Sequence, residues 1–164
     1  MSANEQLLAA NADYAAAFAS GDLGAPPARR LAIVTCMDAR LDPARFLGLE
    51  PGDAHVIRNA GGLVTDDVLR SLAISHWELG TQEVFVIAHT ECGLLTLDAG
   101  ELREKIGSAG LDAGGVDFKP FRDLDASVRE SVQRVEEAKL LPAAFGARGF
   151  VYDVRNGRLR EVTN

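Results

Sequence analysis

Short, strongly apolar runs alternate along the chain with longer segments in which apolar residues recur every three or four positions. Continuous apolar runs are typical of parallel strands buried on both faces, and the second pattern is typical of amphipathic helices. The runs predict strands over 31–35, 54–58, 83–88, 149–154 and 158–162, and the periodic segments predict helices over 4–20, 42–47, 65–79, 101–106 and 125–139. The last two strands flank Asn156-Gly157, a dipeptide typical of tight hairpin turns. The pattern therefore predicts an α/β fold, with a mostly parallel central sheet flanked by helices and a C-terminal antiparallel edge hairpin.

The N-terminal segment differs from the other predicted helices because it precedes the first core strand and is only partly apolar. Leu7, Tyr14 and Phe18 lie on one side of this helix, so we expect it to dock on another subunit. A length of 164 residues is typical of one domain. We therefore predict a single domain over 1–164, in which residues 1–24 form a helical arm.

Acidic residues outnumber basic ones, and the formal net charge is -7 at pH 7. Nucleic acids and anionic membrane surfaces bind basic patches, so this balance argues against both as partners. A bilayer span needs about 18 apolar residues in a row, and the sequence has no such run. The first residues, Met1-Ser2-Ala3-Asn4-Glu5, lack the basic and apolar regions of a signal peptide. These features predict a cytoplasmic protein.

Chemically reactive side chains follow the predicted strands directly. Cys36, Asp38 and Arg40 come after the first strand, and alternate positions on extended backbone would place them on one face. His89 and Cys92 follow the third strand, and a glycine-rich segment follows the second. Because sites in open α/β sheets lie at the carboxyl ends of strands, we expect these three strand ends to form one site.

Two thiolates and one imidazole form a donor set that suits Zn²⁺. Cys36, His89 and Cys92 would leave a fourth position open, where the pKa of a water falls from about 15.7 toward about 7. Asp38 could compete for that position, and the Arg40 guanidinium is expected to hold it away from the metal. Either cysteine alone would more often be a buried core residue, so the prediction depends on the combination.

Three motifs together resemble the β-class carbonic anhydrase family in its compact bacterial branch: Cys-x-Asp-x-Arg at 36–40, Arg-Asn-Ala-Gly at 58–61 and His-x-x-Cys at 89–92. The resemblance extends over nearly the whole chain and implies one zinc-dependent domain. It implies three groups of site residues, which are the zinc ligands Cys36, His89 and Cys92, the catalytic pair Asp38 and Arg40, and Gly61 and Gly62, whose backbone amides line the substrate pocket. Ala39 departs from the pattern, because many family members have serine there.

The same resemblance implies reversible hydration of carbon dioxide to bicarbonate and a proton, with these small molecules as the substrate pair. It also implies a homodimer, often paired further into a homotetramer, with the site near the subunit interface and the N-terminal helix crossing the partner. Relatives in the compact branch hydrolyse carbonyl sulfide or carbon disulfide on a similar zinc site, and the motifs do not separate these substrates. A non-catalytic zinc or thiol redox protein is a third hypothesis, although Asp38 and Arg40 would serve no purely structural metal.

Overall fold

The computed structural model describes residues 2–163, and its centre is one five-stranded sheet. The strands are β1 Leu31–Cys36, β2 Ala54–Asn59, β3 Glu83–His89, β4 Gly146–Tyr152 and β5 Leu159–Val162. Their order in the sheet is β2-β1-β3-β4-β5. All neighbours are parallel except β4 and β5, which form the antiparallel edge. The predicted fold class is confirmed.

Five α-helices connect or precede the strands: α1 Ala3–Ala16, α2 Pro43–Leu47, α3 Asp66–Trp77, α4 Ala99–Ser108 and α5 Leu124–Glu136. Short 3-10 turns cover Ala60–Gly62 and Gly93–Leu95. Polar side chains cap the α-helices at their first turns, as where Thr65 accepts a hydrogen bond from the Val68 amide at the start of α3. Within residues 2–163, no helix has both the length and the apolar character needed to cross a membrane.

Apolar side chains cover both faces of the sheet, and β1 is buried at all six positions. Ala32 and Val34 face the layer formed by α3 and α5, whereas Leu31 and Ile33 face the layer that contains α2. Full burial of a Val, Leu or Ile side chain contributes about 1.5–3 kcal/mol. This two-sided burial explains why β1 is a continuous apolar run.

Several predicted boundaries differ from the observed ones. The strand predicted over 149–154 begins at Gly146, because the Gly146 amide donates to the Gln82 carbonyl and Gly146 pairs with Glu83 at the start of β3. The residues 146–148 are not an apolar run, so hydrophobic pattern alone could not extend the strand. The helices α1, α3 and α5 end two to four residues earlier than predicted.

Helix α1 packs differently from the other long helices. None of its residues is buried, and Leu7, Leu8 and Tyr14 are 60–71% exposed. A capping box between Ser2 and Glu5 stabilises its first turn locally. The helix therefore has regular local structure, but its apolar side chains contribute little to the core of the protomer.

Candidate metal centre

The carboxyl ends of β1 and β3 are neighbours in the sheet, and this brings the three predicted metal ligands together. Cys36 is the last residue of β1, His89 is the last of β3, and Cys92 follows three residues later. Their donor atoms all lie within 4.8 Å of one another, and all three side chains are at most 5% exposed. A compact, buried Cys₂His set of this kind is suited to Zn²⁺ and leaves a further coordination position for a small ligand.

The imidazole of His89 is oriented for a ligand role. Its Nδ1 lies 2.9 Å from the Thr90 carbonyl oxygen, which can only accept, so Nδ1 carries the proton and donates. The other ring nitrogen, Nε2, then presents a lone pair. It is buried, and among the described residues it is one of two buried side-chain polar atoms with no hydrogen-bond partner. A metal ion would satisfy this atom, so the residues present fit zinc.

The two thiols interact directly. A hydrogen bond between the sulfurs lowers the pKa of Cys36 and raises the pKa of Cys92, while burial raises both. For His89, burial lowers the pKa, but the neighbouring Cys36, the Thr90 carbonyl and Asp38 together outweigh it and the net pKa is raised. Two adjacent thiolates repel each other unless a cation lies between them, so this pair is suited to an ion that accepts charge from both.

Arg40 holds Asp38 next to the ligand set. The Arg40 Nε and Nη2 atoms donate to the two Asp38 carboxylate oxygens over 3.0 and 2.8 Å, and the Arg40 backbone amide donates to Oδ1 over 2.9 Å. These bonds hold the pKa of the Asp38 carboxyl well below its usual range. Asp38 Oδ2 lies 3.8 Å from His89 Nε2. The carboxylate is therefore ionised, directed at the site and bound to a guanidinium.

Arg58, at the end of β2, contacts the same segment but was not among the predicted site residues. Its Nε donates to the Cys36 carbonyl over 2.9 Å, and its Nη2 donates to the Asp38 carbonyl over 2.7 Å. The Met37 amide meanwhile donates to the Asn59 carbonyl. β2 therefore fixes the backbone of the Cys36–Arg40 segment. The available signal was the position of Arg58 in the second motif, beside a strand predicted to share the site.

The glycines Gly61 and Gly62 are buried and adopt positive φ angles of 81° and 66°. A Cβ on Gly62 would lie 2.8 Å from the Cys36 amide nitrogen and 2.9 Å from the Thr35 carbonyl carbon. Only glycine fits this close backbone approach. The backbone amide of Gly61 also contributes to the lowered pKa of the Cys36 thiol. Both glycines are thus part of the packing around Cys36, and their role in binding substrate stays a prediction.

Comparisons with known proteins indicate one family. A family model described as carbonic anhydrase matches residues 31–112. The β-carbonic anhydrase 1 of Mycobacterium tuberculosis is 46% identical over 167 aligned residues, which cover 99% of each chain. A carbon disulfide hydrolase of Acidianus is 34% identical over 162 residues, which cover 84% of this chain and 79% of its own. The crystal structure of a carbonic anhydrase from Streptococcus mutans matches with a TM-score of 0.93 and 46% identity over 99% of both chains.

Proposed function

Since the chain belongs to the β-carbonic anhydrase family, we propose that it catalyses the reversible hydration of carbon dioxide to bicarbonate and a proton. β-Carbonic anhydrases use zinc, and the buried donor set is compatible with that cofactor. The observation that carries the proposal is the position of Asp38. Arg40 holds this carboxylate 3.8 Å from the unpartnered Nε2 of His89. There it could orient a water molecule for hydration, a role that a purely structural metal site does not require.

In this proposal Cys36, His89 and Cys92 hold the zinc ion. The bound ion would supply Lewis-acid activation of water near neutral pH. His89 presents Nε2 to the metal because Nδ1 is committed to the Thr90 carbonyl. Burial of all three donors excludes bulk water from the ligands themselves, and the Asp38 carboxylate lies 3.8 Å from the donor atom Nε2 of His89.

Asp38 acts as the acceptor that orients the attacking water. Its Oδ2 would accept a hydrogen bond from the water O–H, which would turn an oxygen lone pair toward the carbon of the substrate. Arg40 keeps the carboxylate ionised and prevents it from moving onto the metal, since a bidentate bond resists rotation of the carboxylate plane. Gly61 and Gly62 would line the neighbouring wall of the pocket with backbone amides, and the absence of a side chain at Gly62 lets this loop lie against the backbone of Cys36.

Hydrolysis of carbonyl sulfide or carbon disulfide is the second candidate activity. The observation that favours it is the similarity to the carbon disulfide hydrolase of Acidianus, at 34% identity. The same nucleophile and the same Asp38 orientation would serve a sulfur-containing cumulated substrate. The identity of 46% to a β-carbonic anhydrase over the whole chain favours carbon dioxide.

We propose that the functional unit is a homodimer, or a homotetramer built from two such dimers. The exposed apolar side of α1 supports an arm formed by residues 1–24 that lies across the partner subunit. The edge strand β2 supports an interface near the site, because its outer side is unpaired in the protomer and Val56 is 43% exposed. The need for two reduced thiols, Cys36 and Cys92, supports a cytoplasmic location.

Stopped-flow measurement of carbon dioxide hydration on protein of known zinc content tests the proposed function. We expect turnover that rises in proportion to bound zinc and exceeds the turnover with carbonyl sulfide or carbon disulfide measured side by side. A zinc-loaded protein that hydrates carbon dioxide no faster than buffer would refute the proposal. A much larger turnover of a sulfur substrate would establish the second candidate instead.

A further inference from the structure

We propose that Glu91, itself held by Arg155, is a positioning residue that fixes the Arg40 guanidinium and, through it, the Asp38 carboxylate. The inference rests on the proposed function, because it assigns a purpose to contacts around the Asp38–Arg40 pair. Glu91 lies between two of the proposed zinc ligands in the chain, yet its side chain belongs to a separate network of ion pairs.

The contacts of Arg40 are divided between two opposite partners. One edge of the guanidinium, formed by Nε and Nη2, donates to Asp38. The other edge donates to Glu91, from Nη1 to the carboxylate over 3.3 Å and from Nη2 to the backbone carbonyl over 3.2 Å. These four bonds use four of the five N–H groups that an arginine side chain carries. Asp38 and Glu91 therefore do not compete for the same donors, and together they fix the plane of the guanidinium.

The backbone of Glu91 is shaped for this contact. Its φ of 58° lies in the left-handed region, which few residues other than glycine adopt. Here the unusual conformation occurs in the short turn between His89 and Cys92, and both the carbonyl and the carboxylate of Glu91 bind Arg40. A residue that served only to connect two ligands would need neither the side-chain contact nor the strained conformation.

Arg155 completes the network from a third part of the chain, just beyond β4. Its Nε donates to the Glu91 carboxylate oxygen Oε1, the one that Arg40 does not use. Negative and positive charges therefore alternate along the network, in the order Asp38, Arg40, Glu91 and Arg155. Arg40 and Glu91, in the middle, each have an opposite charge on both sides. The Arg155 side chain is 80% exposed. Because this side chain is so exposed, its removal should not disturb the core. A substitution at Arg155 therefore tests the network without altering the packing of the fold.

The solvent exposure of Arg40 explains why its guanidinium needs the contact with Glu91 as well as the one with Asp38. Its side chain is 47% exposed, so without Glu91 the guanidinium could turn toward solvent while it stayed near Asp38. Most exposed ion pairs have little effect on stability. The expected effect of Glu91 is therefore on the alignment of Asp38 during catalysis rather than on folding.

The test compares Glu91→Gln with Glu161→Gln. Glu161 is a matched control, because it is 41% exposed against 43% for Glu91 and pairs with Arg148, which is 50% exposed. We expect Glu91→Gln to keep its zinc and its KM and to lose about 10-fold in kcat, the lower end of the range for groups that orient a metal site. Arg155→Ala should lose about threefold in kcat, a change of the size that exposed ion pairs produce. Glu161→Gln should match the wild type.

A second readout does not depend on activity. The Nε–H proton of Arg40 should give a slowly exchanging NMR resonance in the wild type and exchange faster in Glu91→Gln, while the Arg148 resonance stays unchanged. An unchanged kcat together with an unchanged Arg40 resonance would overturn the inference. A wild-type protein that binds zinc but does not hydrate carbon dioxide would instead refute the proposed function, and the Arg40 resonance would still decide whether Glu91 fixes the guanidinium.

Discussion

Replacement of Gly62 by alanine should damage the fold and the metal site together. The added Cβ would lie 2.8 Å from the Cys36 amide nitrogen, 2.9 Å from the Thr35 carbonyl carbon and 3.1 Å from Thr35 Cα. All three neighbours are backbone atoms of β1, so no side-chain rotation relieves the overlap. Relief requires the loop to move away from the strand end, or Cys36 to move away from the loop. Cys36 is a proposed zinc ligand, so either displacement should weaken zinc binding.

The loss of folding stability in Gly62→Ala has two parts, and a control variant separates them. The φ of Gly62 is 66°, and an alanine in the left-handed region costs about 1–2 kcal/mol. Overlap with a well-packed backbone adds about 1–3 kcal/mol. Gly80 has a similar φ of 75° but nothing within 4 Å of the added Cβ, so Gly80→Ala should carry only the first cost. The difference between the variants therefore isolates the overlap, at about 1–3 kcal/mol.

Urea denaturation with a chelator present measures the free energy of unfolding of each variant without a contribution from zinc. Competition with a chromophoric chelator then measures zinc affinity. We expect Gly62→Ala to lose about 10-fold in affinity or more, as for other groups that orient a metal ligand, while Gly80→Ala binds zinc like the wild type. Equal unfolding free energies for the two variants, or unchanged zinc affinity in Gly62→Ala, would show that the loop does not fix the position of Cys36.

Three further predictions concern the site, the edge hairpin and the arm. Cys92→Ala should lose zinc and hydration activity together, whereas Asp38→Ala should keep its zinc and lose most of its turnover; a zinc-loaded Asp38→Ala with full activity would contradict the assigned role. Asp125 is paired with Arg160, and this contact lowers the pKa of Asp125 in the folded state. The pair therefore stabilises the fold fully above the unfolded pKa of about 3.9. This stabilisation is lost as the pH falls through the pKa of the folded state. Asp125→Asn should therefore cost about 0.5 kcal/mol at pH 7, after allowance for screening of this exposed pair, and nothing near pH 2, measured by urea denaturation; a cost independent of pH would exclude the charge as its cause. Deletion of residues 1–24 should give a folded monomer by light scattering and circular dichroism, since no residue of α1 is buried in the protomer. A dimer that survives the deletion would rule out the arm as the main contact.

The parts of the fold that depend on local pattern were predictable from the sequence. Strands such as β1 and β3 are buried on both faces, so they appear as continuous apolar runs whatever their neighbours are. The first three residues of β4 were not predicted because their strand conformation depends on pairing with β3, which the sequence does not reveal. The end of α1 was also misplaced: the helix ends at Ala16, and none of its residues is buried.

The candidate site was also predictable only where it depends on local pattern and strand order. Cys36, His89 and Cys92 could be placed together because parallel strands end at one edge of a sheet. Arg58 and Glu91 were not recognised, because their roles depend on long-range contacts between side chains and backbone. Arg58 reaches back to residues 20 and 22 positions earlier, and Glu91 binds Arg40 from 51 positions away. Such contacts can be predicted only when the strand order and the directions of the side chains are known.

Two arginines hold the Cys36–Arg40 segment in complementary ways, and this explains how a carboxylate can lie so near the ligand set without closing it. Arg58 binds the backbone carbonyls of Cys36 and Asp38, so it fixes where the Asp38 side chain begins. Arg40 binds the carboxylate itself, so it fixes where that side chain ends. Both contacts are between protein groups, so they place Asp38 through the fold rather than through the metal. Movement of Asp38 onto the metal must therefore break the Arg40 bonds, and Glu91 increases the cost of breaking them by holding the opposite edge of the guanidinium.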